Sequence, residues 1–172
     1  MRKLLLTASL CLTICACRAQ DDFHLGQHVI VGNWAYFVIN KEKGSHKMAV
    51  IESQVMVFDR GNDKSSMVWN LYESGRVTVD IQNTTGLFTN DPIGDTVLVR
   101  FDDAPPIKWE IWHDKKGNQH TIILSYANAL QSRMKTTHKL GICAVFDDGT
   151  KWMFFNTDGY SMDNLHIRND TW

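Results

Sequence analysis

TVLVRFDDAPPIKWEIW, residues Thr96 to Trp112, reads as two strands joined by a forced turn. Val97, Val99 and Phe101 alternate with Thr96, Leu98 and Arg100. After Asp102-Asp103-Ala104-Pro105-Pro106 a second alternation runs through Ile107, Trp109 and Ile111. An apolar residue at every second position is the signature of a strand with one buried face. Proline has no amide donor, so Pro105-Pro106 cannot continue a ladder and the chain must leave one strand to enter the next. One face of this ribbon has to find a core.

Working outward, the flanking chain repeats the pattern. Trp34 to Asn40 is apolar on both faces and predicts a central strand, followed by a polar tip at Lys41 to His46 with Gly44. Met48 to Phe58 predicts one long strand, bulged near Glu52 to Gln54 where the alternation loses phase, with a loop at Arg60 to Ser66. Val68–Tyr72 and Arg76–Gln82 form a hairpin about Glu73-Ser74-Gly75. In it Val77, Val79 and Ile81 face inward and Arg76, Thr78, Asp80 and Gln82 face water. Asn83 to Asp95 is a long polar loop anchored by Leu87, Phe88 and Ile93, and long loops are frequently functional. Beyond the ribbon, a turn at Asp114 to Asn118 precedes a strand at His120 to Leu124, and Ser125 caps a short helix to about Lys135. Lys139–Phe146 and Thr150–Asn156 pair across Asp148-Gly149, and Ser161 opens a final short helix through about His166. The fold class is mainly β: an antiparallel β-sandwich or flattened barrel with one or two short helices.

The N-terminus has a different character. MRKLLLTASLCLTICA, residues 1–16, carries Arg2 and Lys3 before an apolar run and then small residues, which is an export signal of lipoprotein type. Its apolar run is shorter than the roughly 20 residues a retained spanning helix needs. Two cleavages compete. Ile14-Cys15-Ala16 before Cys17 resembles a lipobox, with Cys17 acylated; a cut after Ala19 would instead release a soluble chain. With lipidation, 17–26 is a tether, 27–172 a single β-sandwich domain, and the membrane a partner through the anchor at Cys17. The protein is then held in the bacterial cell envelope, on its periplasmic or surface face, and a soluble periplasmic protein is the alternative. Only Cys143 of the four cysteines stays in the folded body, so no intramolecular disulfide forms there and the domain stands on its core. Lysine and arginine are scattered along a chain of net charge −1, which argues against nucleic acid as a partner.

Candidate chemistry is sparse. Phe58-Asp59, Phe101-Asp102 and Phe146-Asp147 each end a strand, which predicts a Phe plugging the core rim and an Asp turning the chain through its own backbone. Asp59, Gly61 and Asp63 begin a calcium-loop spacing that no glutamate closes. His113 and His120 flank one hairpin without a visible third ligand. No cofactor or metal is expected, Cys143 reads as an inert thiol, and no serine sits in an activating motif.

The tryptophans are more informative. Trp109 and Trp112 are three residues apart on one strand, so they point to opposite faces. With Trp109 in the core, Trp112 points outward beside Lys108 and Glu110, as a platform for a sugar ring or a partner. The alternative is a face covered there by the Ser125 to Lys135 helix. Trp112, Phe88 and Glu110 are therefore the ligand or partner candidates. Three functions compete: a non-catalytic envelope binding or accessory lipoprotein, a carbohydrate or small-ligand binding module, and a hydrolase using Glu110 with an aspartate about 5 to 9.5 Å away.

The order Val97-Leu98-Val99-Arg100-Phe101-Asp102, Ala129-Leu130, Lys139-Leu140-Gly141-Ile142 and Phe154 to Gly159 resembles the layout of two envelope families. These are the type VI secretion accessory family TagO and the invasion-associated locus B family. The resemblance covers the C-terminal half of the mature chain. It implies an all-β periplasmic or lipid-anchored accessory protein, with an envelope protein or a glycan as partner and no established catalytic residue.

Overall fold

The computed structural model describes residues 24–40, 46–59, 61–89, 96–113, 118–161 and 163–166. The expectations placed on the export signal, Cys17 and the tether up to residue 23, on the tips 41–45 and 114–117, on loop residues 90–95 and on the tail from 167 lie outside the described residues. In order, the chain forms β1 His24–Val31, β2 Trp34–Asn40, β3 His46–Glu52, β4 Met56–Phe58, β5 Gly61–Asp63, β6 Ser66–Tyr72 and β7 Val77–Gln82. There follow β8 Thr96–Phe101, β9 Ile107–His113, β10 Thr121–Leu124, α1 Ala127–Met134, β11 Lys139–Phe146, β12 Gly149–Asn156 and α2 Asp163–His166. Strand β1 begins within the stretch expected as tether.

The Thr96 to Trp112 ribbon forms as read. Val97 lies opposite Trp109 and Val99 opposite Ile107, and Val97, Val99, Trp109 and Ile111 are all buried. Ten antiparallel strands make one sheet in the order β1-β2-β3-β6-β7-β10-β9-β8-β11-β12, with β4-β5 a separate small hairpin. So wide and twisted a sheet curls on itself. Its inner face buries a core drawn from both ends, including Trp34, Trp69, Ile81, Val99, Ile142 and Phe155. This is the sandwich or flattened-barrel class.

The curl closes at a seam between β12 and the β1–β3 end. Ser53 bridges Phe155, and the Gln54 amide donates to the Phe154 carbonyl at 2.8 Å. Trp34 Nε1 donates to the Thr157 carbonyl at 3.1 Å, and the Tyr36 hydroxyl donates to the Gly159 carbonyl at 3.1 Å. Gly32 (φ 60°) and Gly159 (φ 86°) meet there. A Cβ on Gly159 would stand 2.7 Å from the Val31 carbonyl oxygen, and one on Gly32 2.7 Å from that of Asp158. Glycine is required at both for conformation and for space.

Several local expectations are corrected. The long Met48 to Phe58 strand is broken rather than bulged, because Ser53 leaves β3 to bridge β12, and Met56–Phe58 then pairs with Gly61–Asp63 inside the expected loop. Thr78 and Asp80 do not face water: both are buried, and Asn70 Nδ2 donates to Thr78 Oγ1 at 3.3 Å and to Asp80 Oδ2 at 3.2 Å. Beside them Phe37, Ile39, Met48, Val50 and Val68 form a second apolar cluster on the outer face of β2, β3 and β6. Helix α1 is not capped by Ser125. Its N-cap is Tyr126 in the left-handed region, without a side-chain cap bond, while Ser125 Oγ is buried and accepts from no helix amide.

Candidate functional site

Strand β9 positions the site. Its alternation sends Trp109 inward, where Nε1 donates to the Ser125 carbonyl at 2.7 Å, and Trp112 outward, where it is 64% exposed. Helix α1 does not cover Trp112; its Leu130 and Met134 are buried in the main core instead. Lys108 and Glu110 are exposed on the same outer side as Trp112.

A residue that sequence reasoning missed completes the group. Tyr126 is 63% exposed and its hydroxyl donates to Glu110 Oε2 at 2.8 Å. That hydrogen bond to a carboxylate, reinforced by the carboxylate's charge, pushes the phenol above its ordinary range, so Tyr126 stays a neutral donor. Tyr126 holds φ 53°, uncommon for a residue with a side chain. The signal was absent from the local pattern, because β9 and the α1 start meet only through the β9–β10 pairing, which sets Ile123 opposite Trp112. Two exposed aromatics thus flank one carboxylate, a surface able to stack a ring and accept hydrogen bonds from hydroxyls.

Phe88 is not part of that surface. It is 1% exposed, bridges Phe146 through the backbone and packs its ring 4.6 Å from the Phe146 ring. The loop therefore turns its aromatic anchor into the core. The start of the loop is held by Asp63, whose Oδ2 accepts from the Thr84 and Thr85 amides at 3.1 and 2.9 Å. Burial raises the Asp63 pKa, and hydrogen bonds from Thr84, Lys64 and Thr85 outweigh it and leave the carboxyl below its usual value. Asp63 reads as a structural tie in the loop.

The Phe-Asp pairs are corrected in detail. Phe58 and Phe146 do plug the core, but the Asp102 and Asp147 carboxylates bind neighbouring segments. Asp102 Oδ1 accepts from the His138 and Lys139 amides at 2.9 and 2.8 Å, and Asp147 Oδ1 from the Leu87 amide at 3.1 Å. Asp102 also lies six residues along β8 from Thr96, the residue opposite Glu110. At roughly 3.3 Å per residue that is about 20 Å, beyond the carboxylate separation of either glycosidase mechanism.

Among the described residues, no three of His, Cys, Asp and Glu gather as a metal site. His113 and His120 are half-buried, and Cys143 is a buried free thiol whose pKa burial raises. Among the described residues no helix is long and apolar enough to cross a membrane.

Fold and surface together define a rolled antiparallel β protein that presents an aromatic outer face. The fold is similar to that of the invasion associated protein B from Bartonella henselae, with a TM-score of 0.57 over 82% of this chain and 95% of that one, at 13% sequence identity. At that identity the likeness shows the fold alone. It supports the invasion-associated side of the resemblance and not the TagO side, and it reaches well beyond the C-terminal half. No family model and no curated protein matches the chain.

Proposed function

We propose that this protein is a non-catalytic binding or accessory module of the cell envelope, exported and lipid-anchored at Cys17, that engages its partner through Trp112, Glu110 and Tyr126. The observation that carries the reading is the exposure of Trp112: a large aromatic 64% in solvent, on the strand face of the Glu110 that Tyr126 bonds, offers a partner a rigid apolar contact. The leader and the Ala16-Cys17 junction support the anchor.

Cross-linked capture from the native envelope tests it. Wild type should bring down a defined envelope partner, and Trp112→Ala should lose it while keeping the wild-type melting temperature. Unchanged capture by Trp112→Ala would refute the assignment of that surface. For the anchor, Cys17→Ala should move the protein from the membrane fraction to the soluble one, and an unaltered distribution would favour cleavage after Ala19.

A second reading, a carbohydrate-binding module, is favoured by the placement of Trp112 and Tyr126 about one carboxylate. It requires saturable tryptophan fluorescence changes with glycans that Trp112→Ala abolishes.

A further inference from the structure

The outer face of β8, β11 and β12 carries a second constellation, separate from Trp112. Register sets Arg100, Gly141 and Phe154 in one row across the three strands, and Leu98, Cys143 and Trp152 in the next. Gly141 lets the rings fold over the middle of the first row: a Cβ there would stand 2.9 Å from Phe154 and 3.2 Å from Trp152. Arg100 lies against the same two rings, its guanidinium carbon 5.1 Å from the Trp152 ring centroid and 5.2 Å from that of Phe154. Lys139 Nζ lies 4.6 Å from the Phe154 centroid. The two rings are parallel to within 7°, with centroids 5.7 Å apart.

Two properties of this face point to a ligand. Its cations are not neutralised within the described structure, where no carboxylate forms an ion pair with Arg100 or Lys139. Asp102, at the end of β8, has an oxygen on the backbone amides of His138 and Lys139. Cations poised over aromatic rings are attracted by the ring faces and still present donors to an incoming anion. The rings, moreover, are half-buried and lie within the surface rather than projecting from it. Recessed rings cannot wedge into a bilayer, whereas a chain of sugar rings can lie across them.

We propose that this face binds a uronate-bearing polysaccharide, its carboxylates on Arg100 and Lys139 and its sugar rings on Trp152 and Phe154. The site does not depend on Trp112.

Tryptophan fluorescence of the purified protein, titrated with short galacturonate oligomers, tests this. A saturable change is expected. Arg100→Gln and Lys139→Gln should each weaken binding about tenfold, with wild-type circular dichroism and melting temperature, and Lys135→Gln should have no effect as a matched loss of charge. Should Arg100→Gln fail to fold, the exposed Lys139→Gln still decides. Absence of saturable binding would overturn the proposal, as would wild-type affinity in both variants or an equal response to uncharged glucan oligomers. Equal or tighter binding to anionic phosphatidylglycerol vesicles or to single-stranded oligonucleotide would overturn it in favour of those ligands. Loss of galacturonate binding confined to Trp112→Ala would move the ligand to the other surface.

Discussion

At the seam, Trp34 is fully buried, its Nε1 bonded to the Thr157 carbonyl and its ring 5.1 Å from that of Tyr160. On the outer face of β9, Trp112 has the same side chain at 64% exposure, facing solvent beside Lys108 and Glu110. The pattern of each strand tells them apart: Trp34 to Asn40 is apolar on both faces, whereas the alternation of β9 turns Trp112 outward with Lys108 and Glu110. The seam gathers segments more than a hundred residues apart, and Trp34 Nε1 and the Tyr36 hydroxyl both find their acceptors across the gap. The outer face leaves its rings and charges available. Residues of the first kind should register in stability, and those of the second in binding.

The largest test is Trp34→Ala. Removing a fully buried indole at the seam should cost about 3–5 kcal/mol, a large part of a domain's stability, and should show as a collapse of the urea midpoint. Next comes Gly159→Ala, which forces a side chain into φ 86° and against the Val31 carbonyl. About 1–3 kcal/mol of destabilisation is expected by thermal melting, and an unchanged melting temperature would mean that the two turns do not meet as described.

A smaller effect follows from pH. His138 Nδ1 lies 2.7 Å from Asp158 Oδ1, and this bond together with the Asp158 charge raises the His138 pKa. Asp158 in turn offers its carbonyl to the Asn33 amide. A raised histidine pKa means that the folded state holds the proton more tightly than the unfolded one. The stabilisation is therefore complete below the unfolded value of about 6.5 and is lost as pH rises through the folded value. The pair is exposed, so the slope should be shallow; His138→Gln should flatten the difference in melting temperature across that window. Smallest in stability is Trp112→Ala, expected within about 0.5 kcal/mol of wild type while partner capture fails. A variant that simply unfolds would place Trp112 with Trp34 and erase the contrast.

How much of this was legible in the sequence depends on range. The Thr96 to Trp112 ribbon, the β11–β12 hairpin and the opposed faces of Trp109 and Trp112 follow from alternation and turn residues, which are local. Ser53 bridging Phe155 is not local, and nothing near residue 53 announces that a strand will break to meet β12. The burial of Thr78 and Asp80 was hidden for another reason: a polar residue at an alternate position looks solvated until Asn70 is brought across the hairpin to bond it. Of the candidate surface, Trp112 and Glu110 stand out in the strand, Phe88 reads as a loop anchor and also as a ligand contact when it lies in the core, and Tyr126 carries no pattern at all. Arg100, Lys139 and Trp152 are scattered in sequence and become neighbours only through the register of β8, β11 and β12.

The seam also sets an order in time. Synthesis delivers the N-terminal end first, yet Trp34 waits for Thr157, 123 residues later, before its indole N–H finds its acceptor. Until the last strand arrives the curled sheet has an open side and one edge without a neighbour, the state in which strand edges pair with the wrong partner. The Gly32–Gly159 contact thus works as a latch that cannot shut before residue 159 has been made.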